Sequence, residues 1–134
     1  MGKSRGHRDL IVYQKAFAVA MKIFQVTKKF PKEETYSMVD QMRRSSRSVC
    51  SCIAEAYRKR QYQGYFVNKI SDADGENSET IVWLEFALAC NYITLEEQQT
   101  LEKDAEEVGR ILNAMIENPE KFLPKEKQIL ENKI

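Results

Sequence analysis

Apolar residues recur at helical spacing along four long stretches of this 134-residue chain, and few residues interrupt them. Within each stretch they lie three or four positions apart, which is the period of one face of an α-helix. Only 5 glycines and 3 prolines are present, so the chain has few places where a helix must break. The pattern predicts an all-α fold, an antiparallel up-down-up-down four-helix bundle.

The first predicted helix follows Asp9, a candidate N-cap, and ends at Phe30 because Pro31 comes next. Its apolar face is wider than one neighbouring helix can cover, so the surplus must meet a second neighbour or another copy of the chain. We expect a homo-oligomer whose interface on this helix consists of Val12, Val19, Ile23 and Val26.

The second predicted helix begins near Ser37, where Asp40 three positions later resembles a capping box, and it runs to about Arg60. Its inner line is Met38, Met42, Ser45, Val49, Cys52, Ile53 and Ala56. Its outer surface carries two groups of cations separated by serines. The candidate nucleic-acid-binding residues are Arg43, Arg44, Arg47, Arg58, Lys59 and Arg60.

A third helix is predicted over about 63 to 91, with Gly75 as a point of close packing. The pair Thr94 and Glu97 forms a clearer capping box that opens the fourth helix, and Asn118 followed by proline closes it. We expect a flexible arm over 1–8, the bundle over 9–123 and a loose tail over 124–134.

Charge is divided between the two halves of the chain. Lys and Arg outnumber Asp and Glu 15 to 5 in residues 1–70 and are outnumbered 6 to 15 in residues 71–134, so the totals of 21 and 20 hide the division. Long helices would display it as a basic face on the second helix and an acidic face on the fourth. Such a body is suited to bind a polyanion or to associate with itself.

Catalytic and metal sites are not favoured by the residue types. His7, the single histidine, lies in the N-terminal arm, so neither a catalytic triad nor a histidine-containing bundle metal site can be assembled. A carboxylate site on Glu55, Asp72, Glu76 and Glu79 is the alternative to the simpler prediction that Glu55 and Glu79 pair with Arg47, Arg58 or backbone donors. We expect no enzymatic activity, no cofactor and no metal.

Three cysteines without metal-ligand spacing predict reduced, packed thiols. No apolar run reaches the length of a membrane span, and no signal-type segment begins the chain. The expectation is a cytoplasmic protein without membrane contact.

The two cation groups on the second helix are some 20 Å apart at about 1.5 Å per residue, which suits contacts along a phosphate backbone. Tyr57, Tyr62 and Tyr65 beside the second group are candidates for stacking on unpaired bases. This favours binding of nucleic acid, with structured RNA preferred. The alternative is an assembly or adaptor protein, in which the same cations pair with the acidic third and fourth helices within or between subunits.

Four segments in fixed order resemble one known family: RDLIVYQKA at residues 8–16, FPKEE at 30–34, QMRRS at 41–45 and IAEA at 53–56. The chain resembles the bacterial four-helix-bundle proteins encoded in intervening sequences of 23S ribosomal RNA genes, over roughly residues 8–123. The resemblance implies an antiparallel bundle that forms homopentameric rings. A relative, the accessory variability protein of diversity-generating retroelements, binds nucleic acid and a reverse transcriptase, so RNA, DNA and such a protein are the implied partners.

Overall fold

The structure is a computed structural model that describes residues 3–124. Its four α-helices are α1 (Ile11–Thr27), α2 (Met38–Arg58), α3 (Gln63–Ala89) and α4 (Leu95–Glu117). Short 3-10 turns flank them at Gly6–Asp9, which we name the N-terminal turn, at Lys32–Glu34 and at Pro119–Phe122. The all-α prediction is confirmed.

Each helix packs against the next one in sequence, and α1 also packs against α4, which closes a four-helix bundle. Because the connections are short, consecutive helices run in opposite directions. The start of α1 therefore lies at the same end of the bundle as the end of α2 and the start of α3. The N-terminal turn packs against α1 and α2 at that end, so part of the predicted flexible arm has a defined place.

The predicted inner line of the second helix lies in the core. All seven predicted residues of α2 are buried, with Met42, Ile53 and Ala56 completely so. The buried apolar residues of α4 recur at the same helical spacing: Leu101, Ala105, Val108, Leu112 and Met115. Burial of these apolar faces is the main stabilising contribution, at roughly 25 cal/mol per Å² of apolar surface removed from water.

The predicted oligomer interface on α1 requires correction. Val12, Val19 and Ile23 are only 2, 4 and 0% exposed within the single chain, so they fill its core and have no surface left for a second copy. The reason is that the wide face of α1 is covered by two neighbours of its own chain, α2 and α4. Val26 is half-buried and lines a groove between α1 and α4.

Both ends of α1 also differ from the prediction. Leu10 occupies the N-cap position, because the carboxylate of Asp9 instead accepts the backbone N–H of Arg5 at 2.9 Å within the N-terminal turn. The helix ends at Thr27, three residues earlier than expected, and Phe30 is buried beyond it.

The two predicted capping boxes have different outcomes. Ser37 occupies the N-cap position of α2, but its side chain makes no capping hydrogen bond. At α4 the box is complete: the Glu97 backbone N–H donates to the Thr94 hydroxyl at 3.0 Å, and the Thr94 N–H donates to the Glu97 carboxylate at 2.9 Å.

Close packing does not occur at Gly75, where an added Cβ would meet nothing within 4 Å. It occurs at Gly109, where a Cβ would lie 3.3 Å from the side-chain nitrogen of Asn77. That nitrogen donates to the carbonyl of Ala105 at 2.8 Å, so a buried hydrogen bond joins α3 to α4 at this approach.

Cys50 and Cys52 are buried, as predicted for packed thiols, whereas Cys90 is exposed. Burial raises the pKa of the Cys50 thiol to about 11, which keeps it protonated. The predicted tail lies outside the described residues, apart from Pro124. None of the helices between residues 3 and 124 combines the length and apolar character that crossing a membrane requires.

Candidate nucleic-acid interface

Three carboxylates of the acidic face of α4 are paired within the chain by lysines of α1. Three lysines spaced seven residues apart lie along the contact between these helices. The pairs, measured from Nζ to the carboxylate oxygen, are Lys15–Glu107 at 2.8 Å, Lys22–Asp104 at 2.7 Å and Lys29–Glu97 at 2.6 Å. Hydrogen bonds from Lys29 and Lys15 lower the pKa values of Glu97 and Glu107. The regular lysine spacing in the sequence was the signal for this ladder, which sequence reasoning missed.

Arg44 is bound to two carboxylates of α3. Its Nη2 lies 2.7 Å from Glu79 Oε1, and its Nη1 lies 3.3 Å from Glu76 Oε2. The hydrogen bond from Arg44 is the main cause that lowers the pKa of Glu79, and the Trp83 indole also donates to this carboxylate. The partner of Glu79 is thus Arg44 rather than Arg47 or Arg58, and the charge of Arg44 is largely neutralised.

Arg43 binds the C-terminal end of α1. Its Nε donates to the Thr27 hydroxyl at 2.9 Å and its Nη2 to the Phe24 carbonyl at 3.4 Å, while its guanidinium lies 4.7 Å from the Phe24 ring centroid. The last carbonyls of a helix have no partner inside the helix, so a cation here also interacts favourably with the helix dipole. Arg43 is therefore largely a structural residue.

The other four candidates carry no carboxylate partner within the described range 3–124. The contacts of three of them are with aromatic rings: Arg47 lies 5.9 Å from the Phe24 centroid, Lys59 Nζ lies 5.5 Å from the Tyr65 centroid, and Arg60 lies 4.0 Å from the Tyr57 centroid. Arg60 also donates to the Tyr57 carbonyl at 2.9 Å. Arg58 is exposed and makes no polar contact with the described residues. Ring contacts leave the positive charge in place.

Arg47 and Arg58 face the same side of α2, about three turns or roughly 16 Å apart along its axis. The first arginine group borders a shallow groove of about 580 Å³ that also contains Asp40. A carboxylate lies beside the cations in both places, Asp40 in this groove and Glu55 beside Arg58 and Lys59. The two groups differ in their pairing: Arg44 of the first group is bound to two carboxylates, whereas the second group has no carboxylate partner within residues 3–124.

The N-terminal turn adds residues that sequence reasoning left out. It packs on α2 and brings His7 beside Arg58 and Lys59, with Arg8 exposed next to it. At the same end, the first turn of α3 has no acidic residue and no side-chain cap, so the helix start adds positive partial charge. We name this surface the basic end: His7, Arg8, Arg58, Lys59 and Arg60.

The carboxylates considered as a metal site are already engaged with cations. Glu76 and Glu79 bind Arg44, while Lys69 Nζ lies 3.0 Å from Glu55 and 3.8 Å from Asp72. Across residues 3–124, no group of three or more His, Cys, Asp or Glu side chains is placed to hold a metal ion.

Comparisons with known proteins agree on one group. A family model described as 23S rRNA-intervening sequence protein matches residues 8–114. A crystal structure at 1.70 Å resolution of a protein with unknown function, of the S23 ribosomal protein family from Bacteroides thetaiotaomicron VPI-5482, is 31% identical in sequence. The similarity covers 79% of this chain and 98% of that one, with a TM-score of 0.73. No curated protein matches the chain. Neither comparison indicates an enzyme family.

Proposed function

We propose that this chain, which belongs to the 23S rRNA-intervening sequence protein family, binds nucleic acid through the basic end of its bundle. The observation that carries the proposal is the absence of a carboxylate partner for Arg58, Lys59 and Arg60 among residues 3–124, although acidic side chains are abundant in the same bundle. RNA is the preferred ligand.

The distribution of ion pairs supports this choice of surface. Most of the ion-paired acids are bound by α1 lysines or by Arg44. Uncompensated positive charge therefore remains in the folded chain at the cations that have no carboxylate partner. Unpaired guanidinium groups bind phosphate oxygens through two parallel hydrogen bonds. Binding through phosphates is insensitive to base sequence and strongly dependent on salt.

The test compares two double variants that remove the same charge. Arg58→Gln with Lys59→Gln removes two cations of the basic end, and Arg60 is left intact because it holds the end of α2. Lys32→Gln with Lys103→Gln is the control, because both side chains are exposed away from this end. The measurement is fluorescence anisotropy with a labelled RNA hairpin at several salt concentrations.

We expect the first variant to weaken binding and to reduce the slope of log affinity against log salt by roughly 1.4 to 1.8, the loss of two phosphate contacts. The control should bind as the unchanged protein does. Equal losses in both variants would mean that only net charge matters, and an unchanged protein that ignores the hairpin at low salt would disprove the function.

A second function, self-assembly or protein docking, is favoured by a different observation. The exposed side of α1 carries Ile11, Phe17 and Met21, which are 64, 50 and 45% exposed. Met21 also borders the groove between α1 and α4, a cavity of about 450 Å³ with Val26 and Leu101 in its wall. Apolar surface of this kind is typical of a protein contact. The homopentamer expected from the family resemblance would use such a surface.

A further inference from the structure

A pocket opens at the basic end between the N-terminal turn and the junction of α2 with α3. Its volume is about 490 Å³, within the roughly 300 to 1,000 Å³ that is usual for small-ligand sites. The accessible surface of its wall is mostly apolar, although charged side chains are among those that line it. The lining residues are His7, Ala54, Glu55, Arg58, Lys59 and Tyr65. This combination suits a ligand that joins a flat ring, which can lie on the apolar wall, to a phosphate, which the cations can bind.

We propose that this pocket holds one unpaired base of a bound nucleic acid, stacked on Tyr65, with the adjoining phosphate on Arg58 and Lys59. The proposal rests on the proposed function, because the same cations supply the phosphate contact. It adds the ligand class: single-stranded segments or loops with unstacked bases, in preference to a continuous duplex.

Tyr65 is suited to be the stacking platform. It lies in the first turn of α3, so the backbone that carries the ring is fixed, and the side chain is 40% exposed. Its ring is approached by the Lys59 ammonium at 5.5 Å, a contact that a flexible lysine stem can exchange for a phosphate while staying nearby. Stacking of bases on aromatic rings is a general mode of binding for unpaired strands.

Glu55 gives the base a defined orientation. Its Oε2 accepts from Lys69 Nζ at 3.0 Å, while its Oε1 has no partner in the described part of the chain. A carboxylate repels phosphate and accepts hydrogen bonds, so the phosphate points to Arg58 and the base edge points to Glu55. Cytosine offers an exocyclic amino group there, whereas uracil offers a carbonyl oxygen at the same position. The pocket therefore selects amino-bearing bases over uracil.

The experiment measures anisotropy with labelled oligocytidine and oligouridine RNA of about eight nucleotides. We expect tighter binding of oligocytidine, by roughly tenfold, and a similar loss when Tyr65→Ala removes the platform. Tyr65→Phe should retain binding, and the salt slope should stay unchanged in both variants. Tyr36→Ala is the matched control, because this tyrosine is 94% exposed at the opposite end of the bundle. Glu55→Gln should abolish the preference for cytosine, because an amide can donate to uracil as well as accept.

Failure of this proposal can be told apart from failure of the function. Equal binding of the two oligomers, unaffected by Tyr65→Ala but still weakened by the Arg58 and Lys59 double variant, would overturn the base pocket alone. A blunt RNA duplex that binds as tightly as oligocytidine would also overturn it. If no RNA binds at low salt, the proposed function fails too. Thermal melting by circular dichroism verifies that each variant is folded.

Discussion

At the scale of single residues, six cations that look equivalent in the sequence have different surroundings. Arg43 binds carbonyl and hydroxyl oxygens at the end of α1, and Arg44 binds two carboxylates. Arg58 meets no polar partner in residues 3–124, so its charge faces solvent. The sequence shows where the cations lie along the chain. Whether each one is free to bind a ligand depends on which side chains the neighbouring helices place beside it.

Gly75 and Gly109 offer a test of packing at the same scale. Gly75→Ala should raise the free energy of unfolding by about 0.5 to 1 kcal/mol, because alanine favours the helix and the space is open. Gly109→Ala should raise the free energy of unfolding by clearly less, because its Cβ would push on the Asn77 amide and strain a buried hydrogen bond. Urea unfolding of both variants measures the difference. Equal gains would show that the approach at Gly109 is not tight.

At the scale of elements, helix ends are decided partly by local signals and partly by neighbours. The Thr94 and Glu97 pair forms its box because both partners lie within one turn. Thr27 ends α1 where Arg43, from another helix, binds its hydroxyl. The lysine ladder likewise requires α1 and α4 to be adjacent. A capping box within one turn can therefore be predicted from sequence more easily than a helix end that depends on tertiary contacts.

Substitutions at two N-cap positions compare a helix start that has a capping hydrogen bond with one that has none. Thr94→Ala should lower the free energy of unfolding by about 1 kcal/mol, since it leaves the Glu97 backbone N–H without its acceptor. Ser37→Ala should lower the free energy of unfolding much less, because the Ser37 side chain makes no capping hydrogen bond. Thermal and urea unfolding measure both. A loss at Ser37 as large as that at Thr94 would contradict the difference between the two helix starts.

At the scale of the whole molecule, the bundle separates two kinds of surface. Unpaired cations gather at the basic end, where α2 stops, α3 starts and the N-terminal turn packs. Apolar side chains remain exposed on the outer side of α1. Because three acids of α4, namely Glu97, Asp104 and Glu107, are paired with α1 inside the chain, the acidic face is less available to a second copy than the sequence suggested.

This arrangement predicts how self-association responds to salt. An assembly held by the apolar side of α1 should persist in about 1 M salt, where exposed ion pairs are screened. Met21→Glu should shift the sedimentation coefficient to that of a monomer, while Val82→Glu should not, although both side chains are 45% exposed. Dissociation with rising salt would assign the contact to charged faces instead. Dissociation by Val82→Glu alone would assign it to α3.

The sequence by itself determined the helices, their inward lines, the cap at Thr94 and the concentration of cations on α2. These features follow from the helical period and from contacts within one turn, which the order of residues specifies directly. Only the tertiary structure decided that Val12 and Ile23 are covered by the chain itself, that α1 pairs with the acids of α4, and that the N-terminal turn completes the basic end. Those outcomes depend on which helices become neighbours, and that is set by packing between residues far apart in the chain.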